Sequence, residues 1–86
     1  MKTVDFANVM VQLDLGSDKK TKVDLAKELG NTIYKDARDL DKDTLARKIY
    51  DSTGPIEISD ENAEFIKETY IPRLPYCVQR VLLEQL

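Results

Sequence analysis

The sequence predicts an α+β domain in which a small two- or three-stranded sheet packs against about four helices. Two patterns support this fold class: apolar and polar residues alternate near the N-terminus, and apolar residues recur at spacings of three and four in later segments. The length of 86 residues allows one domain, spanning residues 1–86, because independent cores are usually built from about 100 residues or more.

The sheet is predicted to begin with a long strand over residues 4–15, because apolar side chains occupy its odd positions: Ala7, Val9, Val11, Leu13 and Leu15. A helix remains an alternative, since a helical apolar stripe fits the same segment: Phe6, Val9, Met10 and Leu13. The valines and the turn residues 16–18 favour the strand. Residues 21–23 then form the returning strand of an N-terminal hairpin.

Two helices are predicted to follow the hairpin. Asp24 is a suitable N-cap for the first, over residues 25–38, and the apolar residues recur with helical spacing: Leu25, Ala26, Leu29, Ile33, Ala37 and Leu40. Gly30 lies inside this helix, where we expect it to allow the close approach of a neighbouring element. The second helix is predicted to begin at Asp43 or Thr44 and to end before the turn residues 52–55.

The C-terminal third of the chain is predicted to add a short strand near 55–58 and two further helices. Ser59 or Asp60 caps the third helix, whose inward side carries Ala63, Ile66 and Tyr70, and Pro72 ends it. Pro75 suits the first turn of a final helix that runs to the C-terminus.

The long first strand and the last helix carry more apolar side chains than one buried face requires. We therefore expect self-association, as a homodimer, through the following residues: Val4, Phe6, Met10, Val78, Leu82 and Leu86. The alternative is that the fold itself covers both surfaces.

Catalytic and metal-binding patterns are sparse. The sequence contains no histidine, and its one cysteine, Cys77, lies in an apolar context typical of a small core residue. The acids at 39, 41 and 43 resemble the start of a calcium loop, but Thr44 replaces its glycine and Tyr50 its final glutamate. No glycine-rich phosphate loop is present. We expect a protein that is not an enzyme and binds no metal or cofactor.

The charge pattern offers two candidate binding surfaces. Thirteen basic and sixteen acidic residues give a net charge of −3, which makes nucleic acid an unfavourable main partner. The first surface is the acidic face of the third helix, with Glu61, Glu64 and Glu68, which suits a basic partner. The second is a modest anion-binding group on the first two helices: Tyr34, Arg38, Arg47 and Tyr50.

Three segments resemble parts of short, uncharacterised accessory proteins of bacteriophages and bacterial mobile elements. They are Asp24-Leu-Ala-Lys-Glu-Leu-Gly-Asn31, Leu45-Ala-Arg-Lys-Ile-Tyr50 and Gly54-Pro-Ile-Glu-Ile-Ser59. The resemblance covers less than half of the chain and implies a bacterial or phage setting. It carries over no functional residue.

The leading hypothesis is a small non-enzymatic protein that binds another protein or itself. The charge pattern leaves open a nucleic-acid-binding regulator, which would use a set of basic residues: Lys19, Lys20, Lys22, Lys27, Lys35, Arg38, Arg47 and Lys48. A small-molecule or nucleotide-binding protein, with its ligand near Tyr34, Arg38 and Tyr50, is a third possibility. The absence of a disulfide framework, of a signal segment and of a long apolar stretch predicts a cytoplasmic protein outside the membrane.

Overall fold

The computed structural model describes residues 1–12, 14–16 and 18–86. In chain order its elements are β1 (Lys2–Val4), β2 (Val9–Val11), β3 (Thr21–Val23), α1 (Ala26–Asp36), α2 (Leu40–Tyr50), β4 (Ile56–Ile58), α3 (Asp60–Thr69), a 3-10 turn (Ile71–Arg73) and α4 (Tyr76–Gln85). The predicted α+β class is confirmed. The strands form two antiparallel pairs, β1 with β4 and β2 with β3, where the sequence suggested one small sheet.

The predicted long first strand is wrong, because the chain bends between β1 and β2. Asp5 causes the bend: its Oδ1 accepts hydrogen bonds from the backbone N–H groups of Ala7 at 3.1 Å and Asn8 at 3.0 Å. The N–H of Asp5 itself donates to Oε1 of Gln85 at 2.8 Å, so the bend is tied to the end of α4. The helical alternative for this segment is not observed either.

The bend changes which side chains face the core. Ala7, Val9 and Val11 are buried as expected, but Leu15 is 99% exposed, against expectation. The prediction for Leu13 lies outside the described residues. Five of the six residues assigned to self-association lie in the core instead: Val4, Phe6, Val78, Leu82 and Leu86. The sixth, Met10, is 45% exposed.

The two central helices pack against each other along their length, and α2 begins earlier than predicted. Asp39 is its N-cap, and Oδ1 of Asp39 accepts a hydrogen bond from the backbone N–H of Lys42 at 2.9 Å. The predicted start at Asp43 or Thr44 is therefore wrong by about one turn. Leu40, assigned to the apolar stripe of the first helix, instead opens α2 and is 79% exposed.

The N-cap of α1 is Leu25 rather than the predicted Asp24, and α1 ends at Asp36 rather than at residue 38. The boundaries of α3 and α4 follow the sequence closely. The side chain of Ser59 caps α3 by accepting a hydrogen bond from the N–H of Asn62 at 3.1 Å, and α4 begins directly after Pro75. The predicted strand 56–58 is β4, and the predicted return strand 21–23 is β3. Within residues 1–12, 14–16 and 18–86, no helix combines the length and apolar character that a membrane crossing requires.

Candidate functional site

The outer sides of α1 and α2 enclose an open cleft of about 290 Å³, here called the tyrosine cleft. Its walls carry three of the four residues of the predicted anion-binding group. The lining residues are Gly30, Asn31 and Tyr34 from α1, and Ala46, Arg47, Tyr50 and Asp51 from α2 and its C-terminal end.

Helical spacing puts these residues on facing sides. Gly30 and Tyr34 are four residues apart on α1, and Ala46 and Tyr50 are four apart on α2, so each pair projects from one side of its helix. Gly30 has no side chain to separate the helices, and a Cβ atom placed there would lie 2.9 Å from the carbonyl oxygen of Ala46. The close approach expected from the sequence is confirmed, and the backbone of α2 therefore forms the floor of the cleft.

Arg47 is held in a defined position on one wall. Its guanidinium carbon lies 5.5 Å from the centre of the Tyr34 ring, within the range of a cation–π contact. Its Nε donates a hydrogen bond to Oδ2 of Asp43 at 2.9 Å, and this bond raises the pKa of the guanidinium above its ordinary value. Two contacts, one with Tyr34 and one with Asp43, therefore favour one orientation of the positively charged Arg47 side chain.

Lys27 occupies the equivalent position at the other tyrosine. Its Nζ lies 4.2 Å from the centre of the Tyr50 ring and donates a hydrogen bond to the carbonyl oxygen of Tyr50 at 3.0 Å. The side chains of Tyr34 and Tyr50 nevertheless stay accessible, at 52% and 38% exposure. The cleft thus presents two aromatic rings, each accompanied by a cation.

Arg38, the fourth residue of the predicted group, is not part of the cleft. It follows the C-terminal end of α1, where it lines a separate polar depression with Lys35, Asp36 and Arg73. Asp36 occupies the centre of this group, because its Oδ2 lies 3.8 Å from an Nη of Arg73 and accepts a hydrogen bond from the Tyr70 hydroxyl at 3.1 Å. Its carboxylate offsets part of the local positive charge.

The predicted acidic surface forms one exposed side of α3. Glu61, Glu64 and Glu68 are all exposed, and Oε1 of Glu64 lies 3.5 Å from Nζ of Lys67. None of the three carboxylates lines the tyrosine cleft or the polar depression at Arg38.

Several basic residues of the nucleic-acid alternative are engaged within the fold. Arg47 binds Asp43, Lys27 binds the Tyr50 carbonyl, and Nζ of Lys48 donates to the carbonyl oxygen of Glu57. Lys22 lies on β3 and is exposed. These contacts fix three of the cations on the α1–α2 side of the molecule.

Sequence reasoning missed a second concave surface, an open groove of about 360 Å³ between the β2–β3 hairpin and α4, here called the hairpin groove. It is lined by Met10, Gln12, Leu15, Lys20, Tyr76, Cys77, Arg80, Val81 and Glu84. The surplus of apolar residues on the last helix was a signal for it. Cys77, expected in the core, is partly exposed here.

The acidic and cysteine side chains do not converge: across the described ranges, no group of three or more His, Cys, Asp or Glu residues is placed to hold a metal ion. The tyrosine cleft is thus the site where predicted functional residues meet.

Comparison of the chain with protein-family models, with curated proteins and with solved structures finds no match.

Proposed function

We propose that this protein is a small non-enzymatic interaction module whose tyrosine cleft binds an acidic segment of a partner protein. The observation that carries the proposal is the restrained Arg47 beside two accessible tyrosines. Arginine and tyrosine are enriched among the residues that supply most of the binding energy at protein interfaces. Their grouping in one cleft favours protein recognition over a merely solvated surface.

The chemistry of Arg47 favours a carboxylate as the recognised group. Its internal hydrogen bond uses Nε, so the two terminal nitrogens can both donate to one carboxylate in a forked arrangement. The contacts with Asp43 and Tyr34 already restrain the side chain, which lowers the entropy lost on binding.

The two tyrosines supply the apolar part of the proposed contact. A tyrosine ring offers a large rigid surface with few rotatable bonds, and its hydroxyl can bond to a peptide backbone. The cleft is shallow, and its volume of about 290 Å³ is at the lower end of typical ligand sites. A short peptide segment lying across the helices therefore suits it better than an enclosed small molecule.

Selection from a displayed library of random peptides tests this proposal, because the library samples acidic, basic and apolar segments together. We expect the selected peptides to be enriched in Asp and Glu. Synthetic versions of them should bind at least about tenfold more weakly to Arg47→Ala and to Tyr34→Ala, since each change removes a central contact. The matched control is Lys67→Ala, which removes a cation on α3, outside the cleft.

The outcomes separate the candidate surfaces. Acidic peptides whose binding depends on Arg47 and Tyr34 support the cleft. Basic peptides whose binding falls when Glu61, Glu64 and Glu68 are changed together to Gln would instead assign recognition to α3 and contradict the proposal. Failure to select any peptide from libraries that yield binders for a control domain would also contradict it.

The small-molecule and nucleic-acid alternatives have direct tests of their own. A free anionic ligand of the cleft must raise the unfolding temperature in a thermal-shift screen, and that rise should be absent in Arg47→Ala. A gel shift at low salt with tens of micromolar protein detects even weak non-specific nucleic-acid binding, which is typically in the range of about 1–100 µM. Under the proposal both experiments give no effect.

A further inference from the structure

The outer side of α4 carries both apolar and charged side chains. Its exposed or partly exposed residues are Tyr76, Cys77, Arg80, Val81, Leu83 and Glu84, here called the α4 face. Tyr76 is 72% and Leu83 is 42% exposed, whereas Val78 and Leu82 on the opposite side of the helix lie in the core. One helix thus carries two apolar sides, of which only one is covered by the fold.

The α4 face continues into the hairpin groove, which adds further exposed apolar surface. Met10 and Leu15 line the same groove as Tyr76 and Val81, with exposures of 45% for Met10 and 99% for Leu15. Soluble monomers rarely expose a large contiguous apolar patch, and such a patch with a polar rim marks an interaction surface. The apolar side chains alone do not indicate which partner binds here, but the charges of Arg80 and Glu84 on the α4 face do.

Arg80 and Glu84 carry opposite charges one helical turn apart, and they form no ion pair with each other or with any other residue that the structure describes. In a helix, an acidic residue followed four positions later by a base pairs better than the reverse order found here. Both charges therefore remain available at the middle of an apolar surface. A two-fold symmetric interface needs such a self-complementary surface, with both signs present on the same patch.

We propose that a second copy of this chain covers the α4 face, with the two α4 helices packed antiparallel about a two-fold axis level with Leu82. In this arrangement residues whose numbers add up to 164 lie at the same level along the two helices. Arg80 then faces Glu84 of the second copy, and Glu84 faces its Arg80. The two reciprocal ion pairs lie along the middle of the interface, and the apolar side chains of Val81 and Leu83 flank them on either side.

This surface is independent of the tyrosine cleft, because no residue of the α4 face lines that cleft. A dimer formed through the α4 face therefore carries two accessible tyrosine clefts, one on each copy. Loss of dimerisation would therefore not remove peptide binding to each copy, and a cleft variant such as Arg47→Ala should dimerise normally. The two proposals can fail separately.

Charge reversal tests the arrangement, with molecular mass measured by sedimentation equilibrium over a wide range of concentrations. The wild type should associate reversibly to a dimer. Arg80→Glu and Glu84→Arg should each raise the dimer dissociation constant by about tenfold or more, since each turns two attractive pairs into repulsive ones. The double variant Arg80→Glu with Glu84→Arg should return to within about threefold of the wild type, because its pairs are restored.

Mixing the two single variants gives the most specific result. Arg80→Glu alone and Glu84→Arg alone should each be largely monomeric. In an equimolar mixture the two carboxylates of the acidic variant, Arg80→Glu, lie opposite the two guanidinium groups of the basic variant, Glu84→Arg. The mixture should therefore form a heterodimer. Glu61→Lys on α3 is the matched charge-reversal control and should dimerise like the wild type. Circular dichroism spectra should be unchanged in all variants, because the substituted side chains are exposed.

Three results would overturn the proposal. The first is a wild type that stays monomeric up to about millimolar concentration, the weak limit of specific association. The second is a dimer that both single reversals leave intact, which would place the interface elsewhere. The third is a mixture of the single variants that shows no heterodimer.

Discussion

Gly30 of α1 lies directly against Tyr50 of α2: a Cβ atom at position 30 would be 2.7 Å from Cβ and 2.9 Å from Cα of Tyr50. No pair of real carbon atoms approaches so closely without a shift of the backbone. The spacing of the two helices, and with it the floor of the tyrosine cleft, therefore depends on the missing side chain of Gly30.

Gly30→Ala should lower the free energy of unfolding by about 1–3 kcal/mol, because the added methyl group overpacks the helix contact. The intrinsic preference of a helix for alanine acts in the opposite direction by up to about 1 kcal/mol and does not compensate. Chemical denaturation measures the change. Gly54→Ala is the control, because a Cβ atom at position 54 meets nothing within 4 Å. A Gly30→Ala variant as stable as the wild type would show that the helices are further apart.

Asp39→Ala should destabilise the protein by about 1 kcal/mol, since Asp39 is the N-cap of α2 and its side chain accepts the N–H of Lys42. Asp41→Ala is a matched control two residues away. Among the described residues Asp41 pairs with Lys42 alone, at a distance of 3.2 Å, and removal of the Asp41 side chain should cost less than about 0.5 kcal/mol. Equal losses in urea denaturation of the two variants would contradict the observed start of α2.

Tyr70→Phe should lower the free energy of unfolding by about 0.5–1.5 kcal/mol at neutral pH, because it removes the hydrogen bond from the Tyr70 hydroxyl to Asp36. Burial, followed by that hydrogen bond, raises the pKa of the Tyr70 phenol above its ordinary value of 10.0. A raised pKa means that the folded state binds the phenol proton of Tyr70 more tightly than the unfolded state does. Tyr70 therefore stabilises the protein fully below about pH 10, and this stabilisation is lost as the pH rises through the pKa of the folded state.

The stability difference between the wild type and Tyr70→Phe should therefore be constant from pH 7 to about 9 and shrink above about pH 10. Urea denaturation at several pH values measures it. Tyr76→Phe is the control, because Tyr76 is 72% exposed and should show no such difference. A difference that grows with pH would reverse the sign of the inferred shift.

Asp5→Ala should cost about 1–2 kcal/mol, because the Asp5 carboxylate accepts the backbone N–H groups of both Ala7 and Asn8 at the bend between β1 and β2. Asp14→Ala provides the comparison: among the described residues Oδ1 of Asp14 accepts one exposed N–H, that of Gly16, at 2.9 Å, and its loss should cost less than about 0.5 kcal/mol. Thermal and chemical denaturation should rank the variants in this order. The reverse ranking would contradict the role given to Asp5.

The helices and short strands were largely predictable, because their apolar periodicity and capping residues are local signals. Ser59, Pro75 and Gly30 all act as their sequence contexts indicated. The first strand was not predictable, since period-two alternation also describes two short strands separated by a bend. The bend depends on Asp5 and on its contact with Gln85, which lies 80 residues away in the sequence.

The same long-range contacts decide the candidate surfaces. Tyr34, Arg47 and Tyr50 meet because α1 and α2 pack through Gly30, a pairing that the sequence suggested. Arg38 falls outside because α1 ends at Asp36. The core position of Val4 and Phe6 follows from how the chain bends and packs, which no local pattern encodes, whereas the surplus of apolar residues on the last helix did indicate the exposed α4 face.

Chemical-shift mapping with an isotope-labelled protein and a selected acidic peptide shows directly whether the tyrosine cleft is the binding site. The backbone amide signals of Gly30, Asn31, Ala46 and Asp51 should shift progressively with peptide concentration, and in Arg47→Ala the same shifts should require at least about tenfold more peptide. Signals of α3 and of the α4 face should stay in place. Shifts centred on Glu61 to Glu68, or a titration that Arg47→Ala leaves unchanged, would contradict the assignment of the tyrosine cleft as the binding site.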